Sequence, residues 1–375
     1  MVLKQQNPGL AVYLLRLGML VLLIVLPMLA GAEEEALAST DPNQAKSARI
    51  YKNPEERREA GLGTQLTDWL RVSGLVELEK EYKELNFSNE IERTENERPV
   101  LAMQLGVDIS VSEWIEAELI FEAEYSKRFR SQLDEGLISA DIDSWGIKVG
   151  RQYLPFGEYY SHFITGPMLE FGETRGTSLL VDYSYTDAIE LGGFIFDSGV
   201  GRRNRDDDYD WGVSLEYSSK DEAIRLGASY LSDLAESDEQ LLQEFDNIYH
   251  RRVSGWSAYA LIGMDQFEVT AEVVQANKAF AEFESNSDKP SAYNVELAYF
   301  PVQSTQFAIR IEGGSELIDQ PKQQYGVSGT WLFGNNFIIV VEYLYGEFEK
   351  GFVMDDDDNE LDHRNLIAVQ VAMEL

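Results

Sequence analysis

From Trp69 to its end the chain repeats with period two, and one stretch shows how strongly this limits the fold. Ile115, Ala117, Leu119, Phe121, Ala123 and Tyr125 alternate with Glu116, Glu118, Ile120, Glu122 and Glu124. Successive side chains of a β-strand point to opposite faces, so one face collects apolar and aromatic groups and the other collects carboxylates. Such a strand needs two different solvents, and lipid outside with water inside supplies them. Leu101, Met103, Leu105, Val107 and Ile109 repeat the pattern against Ala102, Gln104, Gly106 and Asp108.

The same periodicity predicts sixteen strands, near 70–82, 98–109, 113–126, 136–142, 146–153, 176–185, 188–197, 210–219, 222–231, 254–264, 267–277, 291–300, 304–313, 324–333, 337–348 and 364–375. Long or strongly polar links at 83–97, 127–135, 154–175, 198–209, 232–253, 278–290, 314–323 and 349–363 alternate with tight turns near Ser110-Val111, Asp143-Ser144, Thr186-Asp187, Ser219-Lys220, Asp265-Gln266, Pro301-Val302 and Gly334-Asn335. Long loops at one end and short turns at the other describe an all-β, antiparallel, up-and-down transmembrane barrel. Lipid offers strand edges no hydrogen-bond partners, so the sheet has to close.

Parity assigns the faces. Val213, Leu215 and Tyr217, then Phe267, Val269, Ala271 and Val273, then Tyr293, Val295, Leu297 and Tyr299, then Phe337, Ile339, Val341 and Tyr343 are expected toward lipid. Glu116, Glu118, Glu122, Glu124, Glu216, Glu268, Glu272, Glu296, Arg310, Glu312 and Glu342 are expected toward the lumen. Trp114, Trp211, Trp256 and Trp331 fall near strand ends, where indole rings suit the headgroup boundary. The last strand reads Ile367, Val369, Val371, Met373 and Leu375 outward, with Gln370 and Glu374 inward.

Residues 1–32 have the order of a signal peptide: Lys4 and Arg16, an apolar run from Leu17 to Leu29, then Ala30-Gly31-Ala32. A retained helical anchor is the alternative. Residues 33–68 lack strand periodicity and read as a periplasmic tail, with Asn53-Pro54-Glu55-Glu56 starting a short helix that Gly61 stops. The barrel then occupies 69–375. Its expected place is the outer membrane of a Gram-negative bacterium, in contact with outer-membrane lipid, lipopolysaccharide and the barrel assembly machinery. A formal charge of -35 repels phosphate backbones and excludes a nucleic-acid partner. The absence of cysteine removes disulfides and thiol chemistry.

The connection from Leu154 to Arg175 contains Pro155-Phe156-Gly157-Glu158 and Gly166-Pro167-Met168-Leu169-Glu170-Phe171-Gly172-Glu173-Thr174-Arg175. Glycines and prolines give it defined bends, and Phe156 and Phe171 give it something to bury. It either folds inward, with Glu158, Glu170, Glu173 and Arg175 lining a constriction, or lies as an ordered loop on the barrel rim. An acidic inner face favours cations, with Arg151, Arg175 and Arg310 as local basic patches. Arg202, Arg203 and Arg205 before Asp206, Asp207 and Asp208, and His250-Arg251-Arg252, read as solvated ion pairs or as sites for an anionic ligand. Asp355 to Asp358 lack the glycine and spacing of a helical calcium loop. His162, His250 and His363 belong to no metal or nucleophile motif, so neither catalysis nor a cofactor is expected.

Three segments carry a family likeness: Arg58-Glu59-Ala60-Gly61-Leu62-Gly63-Thr64-Gln65-Leu66-Thr67 leading to Trp69 and Leu75-Val76-Glu77; Val149-Gly150-Arg151-Gln152-Tyr153-Leu154-Pro155-Phe156-Gly157; and Leu169-Glu170-Phe171-Gly172-Glu173-Thr174-Arg175. With a weaker echo at Ser291-Ala292-Tyr293-Asn294-Val295-Glu296, the chain resembles the siderophore porins typified by the legiobactin receptor. That resemblance implies a ferric siderophore as substrate and a part in iron uptake. The residues themselves support a passive, selective porin, with a general cation-preferring porin and a surface-binding or adhesive barrel as alternatives. Association into homo-oligomers follows from fold analogy alone.

Overall fold

A computed structural model describes residues 63–374 apart from 89–90, 198–200, 203–208, 222, 238–247, 250, 282–288, 318–319, 335, 351–352 and 354–358. The expected signal segment, the tail helix, the Arg203–Asp208 cluster, His250, the Asp355–Asp358 run and Leu375 lie outside the described residues.

Sixteen antiparallel strands form one closed sheet: β1 Leu70–Phe87, β2 Val100–Ser112, β3 Ile115–Tyr125, β4 Phe129–Ile142, β5 Trp145–Tyr153, β6 Arg175–Thr186, β7 Ile189–Asp197, β8 Asp210–Ser218, β9 Ile224–Leu231, β10 Gly255–Met264, β11 Phe267–Ala276, β12 Ser291–Val302, β13 Thr305–Ser315, β14 Gln323–Phe333, β15 Phe337–Glu347 and β16 Leu361–Glu374. Each strand pairs with its neighbours in sequence, and β16 returns to β1 from Leu75↔Glu374 to Phe87↔Leu361. Short strands Thr64–Thr67 and Glu92–Asn96 add to either end of β1.

The alternation persists through closure. Val295, Leu297, Ile309, Ile311 and Val327 are exposed on the outer surface, while Asn294, Glu296, Gln306, Arg310 and Ser328 on the same strands are buried. Aromatic pairs ring the outer surface near the strand ends, among them Trp145 with Tyr183 at 4.6 Å, Trp211 with Tyr230 at 5.3 Å and Phe267 with Tyr299 at 5.0 Å between ring centroids. Two aromatic girdles around an aliphatic belt match the chemistry of a bilayer with two headgroup layers. Five of the connections at one end hold two residues. In two of these, Asp143 and Asp265 take φ of 55° and 48°, a left-handed conformation that two-residue hairpins demand and aspartate tolerates.

Three expectations need correcting. The tight turn between β2 and β3 is Glu113-Trp114 rather than Ser110-Val111, and that between β12 and β13 is Gln303-Ser304 rather than Pro301-Val302, because the strands run on beyond the hydrophobic pattern. Segment 127–135 is not a long loop: β4 begins at Phe129 and only Ser126–Arg128 intervene. A β-bulge hid this, since Phe121 pairs with Leu133 and Ile120 with Glu135, leaving Asp134 as an extra residue. The bulge switches parity, so Phe129 and Leu133 lie outward by odd number, whereas Ile138 and Ile142 lie outward by even number.

Placing a cation in the aliphatic belt tests the orientation. Ile309→Arg is expected to destabilise the barrel by about 2–4 kcal/mol, as read from denaturant titration in vesicles, whereas Ile309→Val should cost about 1 kcal/mol or less.

Candidate functional site

The connection between β5 and β6 is the distinctive element. None of its residues from Leu154 to Thr174 is exposed, which a loop resting on the rim could not achieve. Its partners are side chains of the inner barrel wall, and the attachment begins in a row of carboxylates. Glu272 on β11 accepts the N–H groups of Glu158 and Tyr159, each at 2.8 Å. Glu296 on β12 accepts the Ser161 hydroxyl at 2.8 Å and the His162 N–H at 2.7 Å. Glu312 on β13 accepts the Met168 N–H at 2.8 Å. Glu342 on β15 accepts the N–H groups of Ile164 at 2.7 Å and Thr165 at 3.0 Å, together with the Thr165 hydroxyl.

Arg310 balances this charge. Its Nε donates to Glu296 at 2.8 Å and its Nη1 to Glu312 at 3.1 Å. The same guanidinium donates to the carbonyls of Thr165 at 2.9 Å and Gly166 at 3.3 Å, and to the Ser161 hydroxyl. Phe163 covers it, with the guanidinium carbon 4.2 Å from the ring centroid. Removing ions from water is costly unless their hydrogen-bonding positions are filled. Here the loop's own backbone supplies most of the missing partners. Ser229 and Ser328 add neutral anchors, Ser229 to the Gly157 N–H and Ser328 to the His162 carbonyl.

Apolar packing completes the attachment. Phe156, Met168, Leu169 and Phe171 join Phe194, Phe196, Leu231 and Val274 of the wall in one cluster, and the outer-loop residues Leu234, Val253 and Phe280 extend it. Phe163 packs with Ala298, Phe300, Leu344 and Leu366. Close approach dictates the glycines: a Cβ on Gly172 would lie 2.8 Å from Val274 Cγ1. Gly157 has φ of +84°, and a Cβ there would lie 2.8 Å from a Glu272 carboxylate oxygen. Burial raises the Tyr159 phenol well above its ordinary pKa, and Glu272, Glu173 and Glu170 raise it further, so the ring stays neutral.

The sequence-derived residues therefore separate into groups. Phe156 and Phe171 are buried in the loop–wall core, and Glu158 lies 3.1 Å from Arg225, a β9 residue that periodicity alone did not single out. Glu170 sits in the short 3-10 turn Met168–Gly172, and Glu173 follows it with its N–H on the Glu170 carbonyl. Arg175 opens β6, paired with Asp134 and 5.1 Å from the Tyr153 ring. Arg151 shares the parity of Val149, opposite Gly136 and Thr177. Glu296, Arg310, Glu312 and Glu342 are almost wholly buried beneath the loop, while Glu272 is partly buried. Glu268 approaches the buried His162 ring at 3.4 Å, and Glu216 lies 3.6 Å from Arg225.

Glu116, Glu118, Glu122 and Glu124 sit elsewhere, on β3, beyond β16, β1 and β2 from the Glu342 anchor. In register, Glu124 lies beside Ala102 and Glu77, and Glu122 beside Gln104 and Leu75. Leu75 belongs to an inner cluster with Ile338, Val340 and Ala372, which places Glu77, Glu79 and Glu81 on the inner face too. The period-two rule could have identified those three acids, since they alternate with Leu78 and Lys80. Asp134 was hidden by the bulge.

No family model matches the chain. A UPF0422 protein of Coxiella burnetii is 29% identical over 164 residues, covering 40% of this chain, and the match spans 35% of that protein's length. Among solved structures, Salmonella typhi OmpF in complex with daunomycin is similar with a TM-score of 0.55 and 12% identity, covering 82% of this chain and 97% of that one. Pseudomonas putida OprB gives 0.57 and 12%, covering 82% and 94%. The outer membrane channel DcaP of Acinetobacter baumannii gives 0.55 and 11%, covering 84% and 99%. The chain thus has the fold of bacterial outer-membrane porins.

Removing the central cation tests the attachment. Arg310→Ala leaves Glu296 and Glu312 buried together, at a cost of about 3–5 kcal/mol. Hydrogen exchange should then accelerate by more than about tenfold at the amides of residues 158–166 and 168, with the belt strands β2 to β4 keeping their protection.

Proposed function

We propose that this chain is a passive, cation-preferring diffusion channel of the Gram-negative outer membrane, with loop 154–174 as its constriction. The observation that carries the reading is the one-sided attachment of that loop. Wall carboxylates from β11 to β15 are consumed in holding it, and the solute path then runs along the adjoining uncovered wall of β1 to β3, which meets β15 through β16. There Glu77, Glu79 and Glu81 of β1 face the same interior as Glu116, Glu118, Glu122 and Glu124 of β3. Carboxylates along a confined aqueous path raise the local concentration of cations and repel anions. Glu158, Glu170 and Glu173 contribute from the loop side, while Phe156 and Phe171 hold the loop's shape and Arg175 fixes its return into β6.

The fold likeness to porins supports passive passage, and no catalytic step is proposed. A ferric siderophore, which the sequence resemblance implies, is the narrower substrate reading. An acidic path repels a carboxylate-rich iron chelate, so the general channel is preferred. Residues 1–32 as a cleaved signal, 33–68 as a periplasmic tail and assembly into homo-oligomers belong to the same proposal.

Single-channel current in a planar bilayer under a salt gradient tests it. The expected result is a reversal potential of cationic sign that moves toward zero when Glu77, Glu79, Glu118 and Glu122 are replaced together by Gln. Anion preference, or no current from folded barrels, would overturn the reading. Reversible interruption by one ferric siderophore at low concentration would establish the narrower substrate.

A further inference from the structure

The outer tip of the β3–β4 hairpin has chemistry that neither the loop nor the channel uses. Both strands run on past the neighbouring strand: β4 meets β5 only from Gly136↔Arg151 onward, so Phe129 to Leu133 are paired with β3 alone in the sheet. All five of these residues are exposed. At the tip Tyr125 pairs with Phe129, and the two rings stand 56% and 62% exposed on the outward, lipid-side face. Beside them in the turn lie Lys127 and Arg128, both exposed, whereas Arg130 stands opposite Glu124 on the inward face. Among the described residues neither Lys127 nor Arg128 has a carboxylate within ion-pair distance.

Two adjacent unneutralised cations at a loop tip are unexpected in a chain of formal charge -35. They mark a local reversal of the field. Their position sets the partner, because the hairpin rises from the outer aromatic girdle at the long-loop end of the barrel, where the outer leaflet begins. Outward aromatic rings suit the boundary between acyl chains and headgroups. Lysine and arginine just beyond that boundary meet anionic headgroups, with arginine forming paired bonds to phosphate. The open edge of β4 adds backbone N–H donors for phosphate or sugar oxygens. We infer that the hairpin Tyr125–Leu133 is a binding site for the phosphorylated glycolipid of the outer leaflet, with Lys127 and Arg128 holding its phosphates and Tyr125 and Phe129 lying along its acyl–sugar boundary. The hairpin acts as an anchor for a specific lipid and is independent of conduction.

The test uses the full-length barrel in detergent, with lipid A or its dephosphorylated form added, and native mass spectrometry to count retained lipid. Wild-type protein is expected to keep one phosphorylated lipid through delipidation. Lys127→Gln and Arg128→Gln together should weaken that retention by about tenfold or more, and dephosphorylated lipid A should bind wild type as weakly as phosphorylated lipid A binds the variant. Folding is checked by heat-modifiable electrophoretic mobility, and Phe129→Ser provides a second variant that keeps the charges and lowers retention of both lipids. Equal retention by wild type and the charge variant, or equal retention of the two lipids by wild type, would overturn the inference. So would a change of oligomeric state with lipid retention intact, which would assign the hairpin to contact between copies of the chain.

Discussion

The pairing of β16 with β1 is the constraint on which the structure depends. In hydrocarbon an unpaired backbone N–H or carbonyl has no substitute partner, so a sheet with an edge inside the membrane is not an available state. Once the ladder from Leu75↔Glu374 to Phe87↔Leu361 closes it, every strand has one face in lipid and the other in the interior. The alternation of Val295 and Leu297 with Glu296 is the imprint of that division. The same closure supplies a rigid frame in which side chains from β11, β12, β13 and β15 converge on one loop.

That convergence changes what the inner acids do. A carboxylate facing the lumen would be read as part of the permeation field, yet Glu296, Glu312 and Glu342 are structural acceptors for N–H groups of a covering segment. Arg310 sits between them, where it would otherwise read as a local basic patch. Burial distinguishes the two roles. The acids of β1 and β3 lack such a cover, and in the proposed channel they are the ones that face a solute, apart from Glu81, which Lys83 neutralises at 2.7 Å.

Fold class was legible in the sequence because period two is a local signal repeated sixteen times, and short turns alternating with long links added the topology. Strand ends were less legible, and Phe129–Asp134 shows why: a single bulge residue reverses parity, so a search for unbroken alternation ends at the bulge. The loop's bends and its need to bury Phe156 and Phe171 were visible in Pro155-Phe156-Gly157 and Leu169-Glu170-Phe171. Its wall partners were not, since Glu272, Glu296, Glu312 and Glu342 are more than a hundred residues away and carry no marker separating them from Glu122. Only the closed geometry brings the two sets apart.

The loop is held largely through its main chain. Amides at 157, 158, 159, 162, 164, 165 and 168 make the bonds to the wall, and any residue except proline can donate them. Pro155 and Pro167 occupy positions outside that set. Those bonds are therefore indifferent to most side chains they pass through, so the half-buried groups of the loop can vary as long as Gly157, Phe163 and the apolar contacts of Phe156 and Phe171 are kept. Selection can rewrite the groups it presents to solutes while the frame that seats it stays constant, so a barrel of this design can change its clientele without relearning how to fold.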